Sequence, residues 1–65
     1  MNTVQDEICF AAENIGVSSN KIKEMLYEVS EFIGIEDLLL RNIDELSSGQ
    51  KQKVAIARLL VNPNP

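Results

Sequence analysis

Ser18-Ser19-Asn20-Lys21-Ile22-Lys23-Glu24-Met25-Leu26-Tyr27-Glu28-Val29-Ser30-Glu31-Phe32-Ile33-Gly34 decides the fold class. Ile22, Met25, Leu26, Val29, Phe32 and Ile33 recur at i, i+3, i+4, i+7, i+10 and i+11, the spacing of one core-facing helical stripe. Lys21, Lys23, Glu24, Glu28 and Glu31 cover the other side. Ser18 or Ser19 can cap the start, and Gly34 stops the helix because glycine takes the left-handed C′ position without steric cost. The stripe is read as core and not as a ligand box.

Towards the N-terminus, Thr3 is a good cap and Asp6, three places on, resembles a capping box with a shorter acid. Val4, Ile8, Ala11, Ala12 and Ile15 form a second stripe, which predicts a helix from Val4 to Ile15 ended by Gly16. Phe10 lies off this stripe and is expected to face a partner or another part of a larger domain. Towards the C-terminus, Glu36 to Leu40 predicts a short helical turn docked by Leu38, Leu39 and Leu40, and Arg41 to Leu46 a connecting loop. A last helix opens at Ser47, which with Gln50 makes a Ser-x-x-Gln capping box. Val54, Ala57 and Val61 line one face of it, with Ile56 and Leu60 adjacent, and Asn62-Pro63 ends it. No stretch alternates as a strand does. The predicted fold is all-α, a small bundle of three main helices plus a short helical turn.

The 65 residues make one small domain at most, with a modest core. The start carries Asp6 and Glu7 and lacks a basic, then apolar, run, so no secretory leader is expected. No apolar run approaches the roughly 20 residues of a membrane span. The formal charge of −4 argues against a nucleic-acid binder, which needs a basic surface. That charge is uneven: residues 1–40 hold eight acids against Lys21 and Lys23, whereas the remainder is slightly basic. Cys9 is alone and there is no histidine, so neither a disulfide framework, a cysteine metal site nor a Cys/His nucleophile is expected. Cys9 reads as a small buried residue.

The stretch that carries chemistry is Leu46-Ser47-Ser48-Gly49-Gln50-Lys51-Gln52-Lys53-Val54-Ala55-Ile56-Ala57-Arg58. It is a small-residue loop that opens a helix. The first backbone N–H groups of a helix lack internal partners, and the helix dipole adds partial positive charge there. Gly49 lets a ligand approach the backbone, Ser47 and Ser48 supply hydroxyls, and Lys51 and Lys53 add charge nearby. Such a start suits phosphate. The same residues also serve as a plain serine cap that binds nothing.

Leu46 to Gln50 resembles the Leu-Ser-Gly-Gly-Gln signature of ABC-type ATPases, and the following Lys-Gln-Lys-Val-Ala-Ile-Ala-Arg resembles the helix that continues it. Thr3-Val4-Gln5-Asp6-Glu7-Ile8 and Phe10, with Glu13-Asn14 before Gly16, resemble the matching segment of the energy-coupling-factor and cobalt-type import ATPases. Ser48 departs from the pattern by standing where the family has the first of two glycines. The resemblance implies residues 3–46 as a helical subdomain and residues 46–61 as the signature motif and its helix. It implies that Ser47, Ser48, Gly49 and Gln50 close over ATP held by a second nucleotide-binding domain. Ser47 and the Gly49 N–H would reach the γ-phosphate, Gln50 would support the loop or approach the ribose, Leu46 would anchor it, and Lys51 would assist. Residues 3–14 would lie near a transmembrane subunit. Implied partners are the rest of the nucleotide-binding domain, a second ATPase subunit and that transmembrane subunit, at the cytoplasmic face of the membrane.

ATP with magnesium would then be the ligand of the parent dimer. No Gly-x-x-x-x-Gly-Lys-Ser/Thr loop and no apolar strand ending in Asp-Glu is present, so no catalytic residue is expected here and the chain reads as a piece of a larger ATPase. Two or three hydrogen bonds of about 1.5–3 kcal/mol each, against an association cost of about 4–15 kcal/mol, predict no affinity of the isolated chain for ATP tighter than about millimolar. Two other readings are a stand-alone helical protein-interaction module and a small helix-turn-helix binder of nucleic acid. The acidic balance counts against the latter.

Overall fold

The computed structural model describes residues 2–14 and 16–61, in which three α-helices and two 3₁₀ turns pack around one buried cluster. Helix α1 is Val4–Glu13. Thr3 holds extended backbone ahead of it. Its Oγ1 accepts the Asp6 N–H at 3.2 Å, and the Asp6 Oδ2 accepts the Thr3 N–H at 3.4 Å, which is the expected capping box. Val4, Ile8 and Ala12 are buried and Phe10 is exposed. The helix ends at Glu13, earlier than the spacing predicts. Gly16 sits at φ +78, and its N–H and that of Val17 fold back onto the carbonyls of Glu13 and Ala12. Ile15 lies outside the described residues.

Helix α2 is Ser19–Ile33, and Gly34 ends it at φ +81 as expected. The Gly34 and Ile35 N–H groups both donate to the Ser30 carbonyl at 2.9 Å, which turns Ile35 fully inward. The stripe is corrected at one position: Phe32 is 79% exposed and does not join the core. At about 100° per residue the buried line runs Ile22, Leu26, Ser30, and Phe32 falls about 120° from its centre. Ser30 takes the inward slot instead. Its hydroxyl donates to the Leu26 carbonyl one turn back, so the buried oxygen is satisfied within the helix. Met25, Val29 and Ile33 pack at the edge of the cluster.

The short turn predicted after Gly34 is a 3₁₀ turn, Glu36–Leu38. Leu38 is buried and Leu39 half-buried, but Leu40 is 76% exposed, because three consecutive residues cannot all face one neighbour. The expected loop contains a second 3₁₀ turn, Ile43–Glu45. Helix α3, Ser48–Val61, buries Val54, Ala57 and Val61 as expected. The Asn62-Pro63 stop lies outside the described residues. The core draws Val4, Ile8 and Ala12 from α1, Ile22 and Leu26 from α2, and Val54, Ala57 and Val61 from α3, sealed by Ile35, Leu38 and Leu46. Among the described residues there is no strand, only a bridge between Thr3 and Asn42, and no helix long and apolar enough to cross a membrane. The all-α class therefore stands, with one 3₁₀ turn added.

Candidate phosphate-facing helix start

The residues singled out from sequence meet at the start of α3. Leu46 is buried, holds extended backbone, and donates its N–H to the Ile43 carbonyl at 3.2 Å, so the approach to the helix is anchored. The Ser47 N–H donates to Gln50 Oε1 at 2.9 Å, and the Gln50 N–H donates to Ser47 Oγ at 3.2 Å. This is the reciprocal box. The Lys51 N–H then reaches the Ser47 carbonyl at 2.9 Å and begins the helical ladder. Of the early N–H groups, those of Ser48 and Gly49 find no acceptor among the described residues. Ser47, Ser48 and Gly49 are exposed, and nothing lies within 4 Å of where a Gly49 Cβ would stand.

Ser48 shows no strain as a replacement for glycine. It lies inside the helix, and no non-glycine residue among those described has positive φ. Gln50 is turned back onto Ser47, so its side chain supports the loop. The first turn of α3 contains no acid. Lys51 borders a small cleft with Glu7, Ile43, Val54, Ala55 and Arg58. Within that cleft Arg58 Nη1 stands 3.9 Å from Glu7 Oε2, tying α3 to α1. Lys53 is exposed.

The donors here are two amides and two hydroxyls, with no carboxylate on the helix start. That set suits an oxygen anion such as a phosphate. Among the described residues no three His, Cys, Asp or Glu side chains gather as a metal-holding group. Cys9 is half-buried on α1 and not fully buried as expected. Partial burial, then Glu13 and Asp6, push its thiol up from the ordinary value, which keeps it protonated and poorly nucleophilic at neutral pH.

Two features were not read from sequence. Glu7 and Arg58 pair across helices, for which local spacing carries no signal. The turn at Ile43–Glu45 does have a signal, Asn42-x-x-Glu45, whose Asn42 N–H donates to Glu45 Oε1 at 3.2 Å.

The molecule is an all-α bundle that presents an acid-free, glycine-bearing helix start. The comparison with known families makes this specific: residues 1–65 match the ABC transporter family model, and the chain belongs to that family. It is similar to an energy-coupling factor transporter ATP-binding protein of Mycoplasmopsis pulmonis, 48% identical over 58 residues, covering 89% of this chain and 22% of the relative. A protein of the same description from Ureaplasma parvum is 47% identical over 62 residues, covering 94% of this chain and 21% of the relative. One from Pediococcus pentosaceus is 40% identical over 60 residues, covering 92% and 21%. The chain spans about a tenth to a fifth of the length of the curated relatives it matches.

Proposed function

We propose that this chain is the helical subdomain of an ABC transporter ATP-binding subunit, with residues 3–46 as the subdomain proper and residues 46–61 as the signature motif and its helix. The Ser47 hydroxyl and the Ser48 and Gly49 N–H groups face the γ-phosphate of ATP held by a second ATPase domain. Gln50 keeps that start in shape and Leu46 anchors it. Lys51 adds charge one residue further along the helix. The observation that carries this reading is the pair of free N–H groups, at Ser48 and Gly49, fixed by a capping box that introduces no carboxylate. The names of the relatives, ATP-binding proteins of energy-coupling factor transporters, support the same reading.

The chain contributes binding and closure, and not the chemical step. Phosphoryl transfer needs a phosphate cradle with its lysine, magnesium and a residue that positions water. These come from the facing domain and from the rest of this one, and magnesium arrives with ATP. Hydrogen bonds from an acid-free helix start strengthen as the two domains close and water leaves, so ATP draws them together. The partners are the remainder of the nucleotide-binding domain, a second ATPase subunit and a transmembrane subunit at the cytoplasmic face of the membrane. The exposed Phe10 and Leu40 offer apolar contact to such partners.

The test is a chimaera in which this segment replaces the matching segment of the Ureaplasma parvum relative. Open space at Gly49 lets Gly49→Asp fold normally, while its carboxylate faces the γ-phosphate. ATP-driven dimer closure is expected to be lost, read by gel filtration or scattering with a slowly hydrolysed nucleotide. Unchanged closure and turnover would overturn the reading.

A further inference from the structure

The residues that lead into α1, with its first two positions, form a strap across the run-up to α3. The Val4 N–H donates to the Arg41 carbonyl at 3.0 Å, and the Gln5 N–H to the Leu39 carbonyl at 2.9 Å. The Ile43 N–H returns to the Asn2 carbonyl at 3.0 Å. These bonds flank the antiparallel bridge between Thr3 and Asn42, which is therefore a non-hydrogen-bonded pair. The first two N–H groups of α1 are thus spent on the run-up, whereas the equivalent two of α3 are open.

From Asn42 to Ser47 there is little slack. The Glu45 N–H donates to the Asn42 carbonyl at 3.0 Å, the Leu46 N–H to the Ile43 carbonyl at 3.2 Å, and the Leu46 side chain is buried. A second route joins the strap to the shaft of α3. Asn2 Nδ2 donates to Glu7 Oε1 at 3.2 Å, and the other oxygen of Glu7 faces Arg58 at 3.9 Å. Both routes end on α3, one at its start and one along its length.

We infer that the Asn2–Gln5 strap is a conformational link that sets the Ser47–Gln50 helix start: displacing the strap moves the run-up and loosens the Ser47–Gln50 box. The coupling is reciprocal, so a ligand that rigidifies the box also tightens the strap. The link itself stands on the backbone geometry. Its meaning for transport rests on the phosphate-facing reading given above.

Amide hydrogen exchange tests it without nucleotide. The chain is short enough for chemical synthesis, and an ester in place of the peptide N–H at Val4 or Gln5 deletes one strap bond and keeps the side chain. Each ester is expected to speed exchange of the Gln50 and Lys51 amides about two- to tenfold more than that of the core amides of Ile8 and Leu26. A control ester at Gly34 deletes a bond to Ser30 at the far end of α2 and should leave that ratio near one. A ratio near one for the strap esters as well would overturn the link.

Should an ester chain fail to fold, a gain-of-constraint variant answers the same question. Non-hydrogen-bonded antiparallel pairs approach to a Cα separation of about 4.5 Å, within disulfide reach. In the Cys9→Ala, Thr3→Cys, Asn42→Cys chain, oxidation is expected to slow exchange at Gln50 and Lys51 more than at Leu26, relative to the same chain reduced. Equal slowing everywhere, or none at Gln50, rejects the link. Neither readout involves ATP. Failure here leaves the phosphate reading standing, and failure of closure in the chimaera leaves the link standing.

Discussion

Two helices of this chain open on serine, and they open differently. Ser18 holds extended backbone before α2 yet makes no side-chain cap bond. Ser47, before α3, makes two reciprocal bonds with Gln50. The cause is the residue three places on. Lys21 follows Ser18 and has no acceptor to return, whereas Gln50 offers an amide oxygen. At α1 the same slot holds Asp6, so that box closes with an acid. Of the three, only the start of α3 is both held in shape and free of negative charge. A helix start is ready for an anion when its cap is made by a neutral group.

The largest effect should come from changing that charge alone. Gln50→Glu keeps a box of the α1 kind and should shift the urea midpoint of the chain little. In the chimaera it should weaken nucleotide-driven closure by roughly tenfold or more, because a carboxylate then stands beside phosphate. Equal closure by both proteins would remove the distinction between the acidic and neutral boxes. Removing the cap comes next. Ser47→Ala should cost about 1 kcal/mol in urea unfolding, and Ser18→Ala only a few tenths at most. Similar losses at both serines would show that the bonding difference has no energetic weight.

The converse experiment gives α2 what it lacks. Lys21→Gln supplies an acceptor, and a gain of about 0.5 kcal/mol is expected. The ion pair it removes, with Glu24 at 4.0 Å and both partners exposed, contributes little. The smallest effect concerns the acid of α1. Asp6 is one of the groups that raise the Cys9 thiol, after partial burial and Glu13. A raised thiol holds less thiolate at pH 8, so alkylation is slow. Asp6→Asn lowers the thiol towards its ordinary value and should speed alkylation by iodoacetamide by less than about twofold. No change at all would show that this carboxylate does not act on Cys9.

Most of the fold was legible because its determinants are local. Each capping box spans four residues, and the left-handed turns at Gly16 and Gly34 follow from glycine at the end of a stripe. The candidate site shares this property, since the Ser47–Gln50 box and the two open N–H groups follow from one tetrapeptide. Periodicity misleads at the edge of a stripe. Phe32 fits the spacing rule but lies at the edge of the stripe, and Ser30 took the inward position because its hydroxyl could bond within its own helix. Leu40 is apolar and adjoins two docking leucines, yet it points outward because its turn docks through Leu38 and Leu39. The strap left no trace in the residue pattern. Its bonds are between backbone atoms, which every residue carries apart from the N–H that proline lacks.

The strap also bears on the order in which the bundle is assembled. Helix α1 has only 10 residues, below the roughly 12–15 at which an isolated helix becomes more than marginal in water. Its first two N–H groups wait for carbonyls at Leu39 and Arg41, more than thirty residues later in the chain. During vectorial synthesis α1 is therefore made before the carbonyls that receive it, and it settles after α2 and its following turn exist. Until then Val4, Ile8 and Ala12 lack the partners from α2 and α3 that bury them, so the apolar face of α1, though made first, is covered late in the assembly of this core.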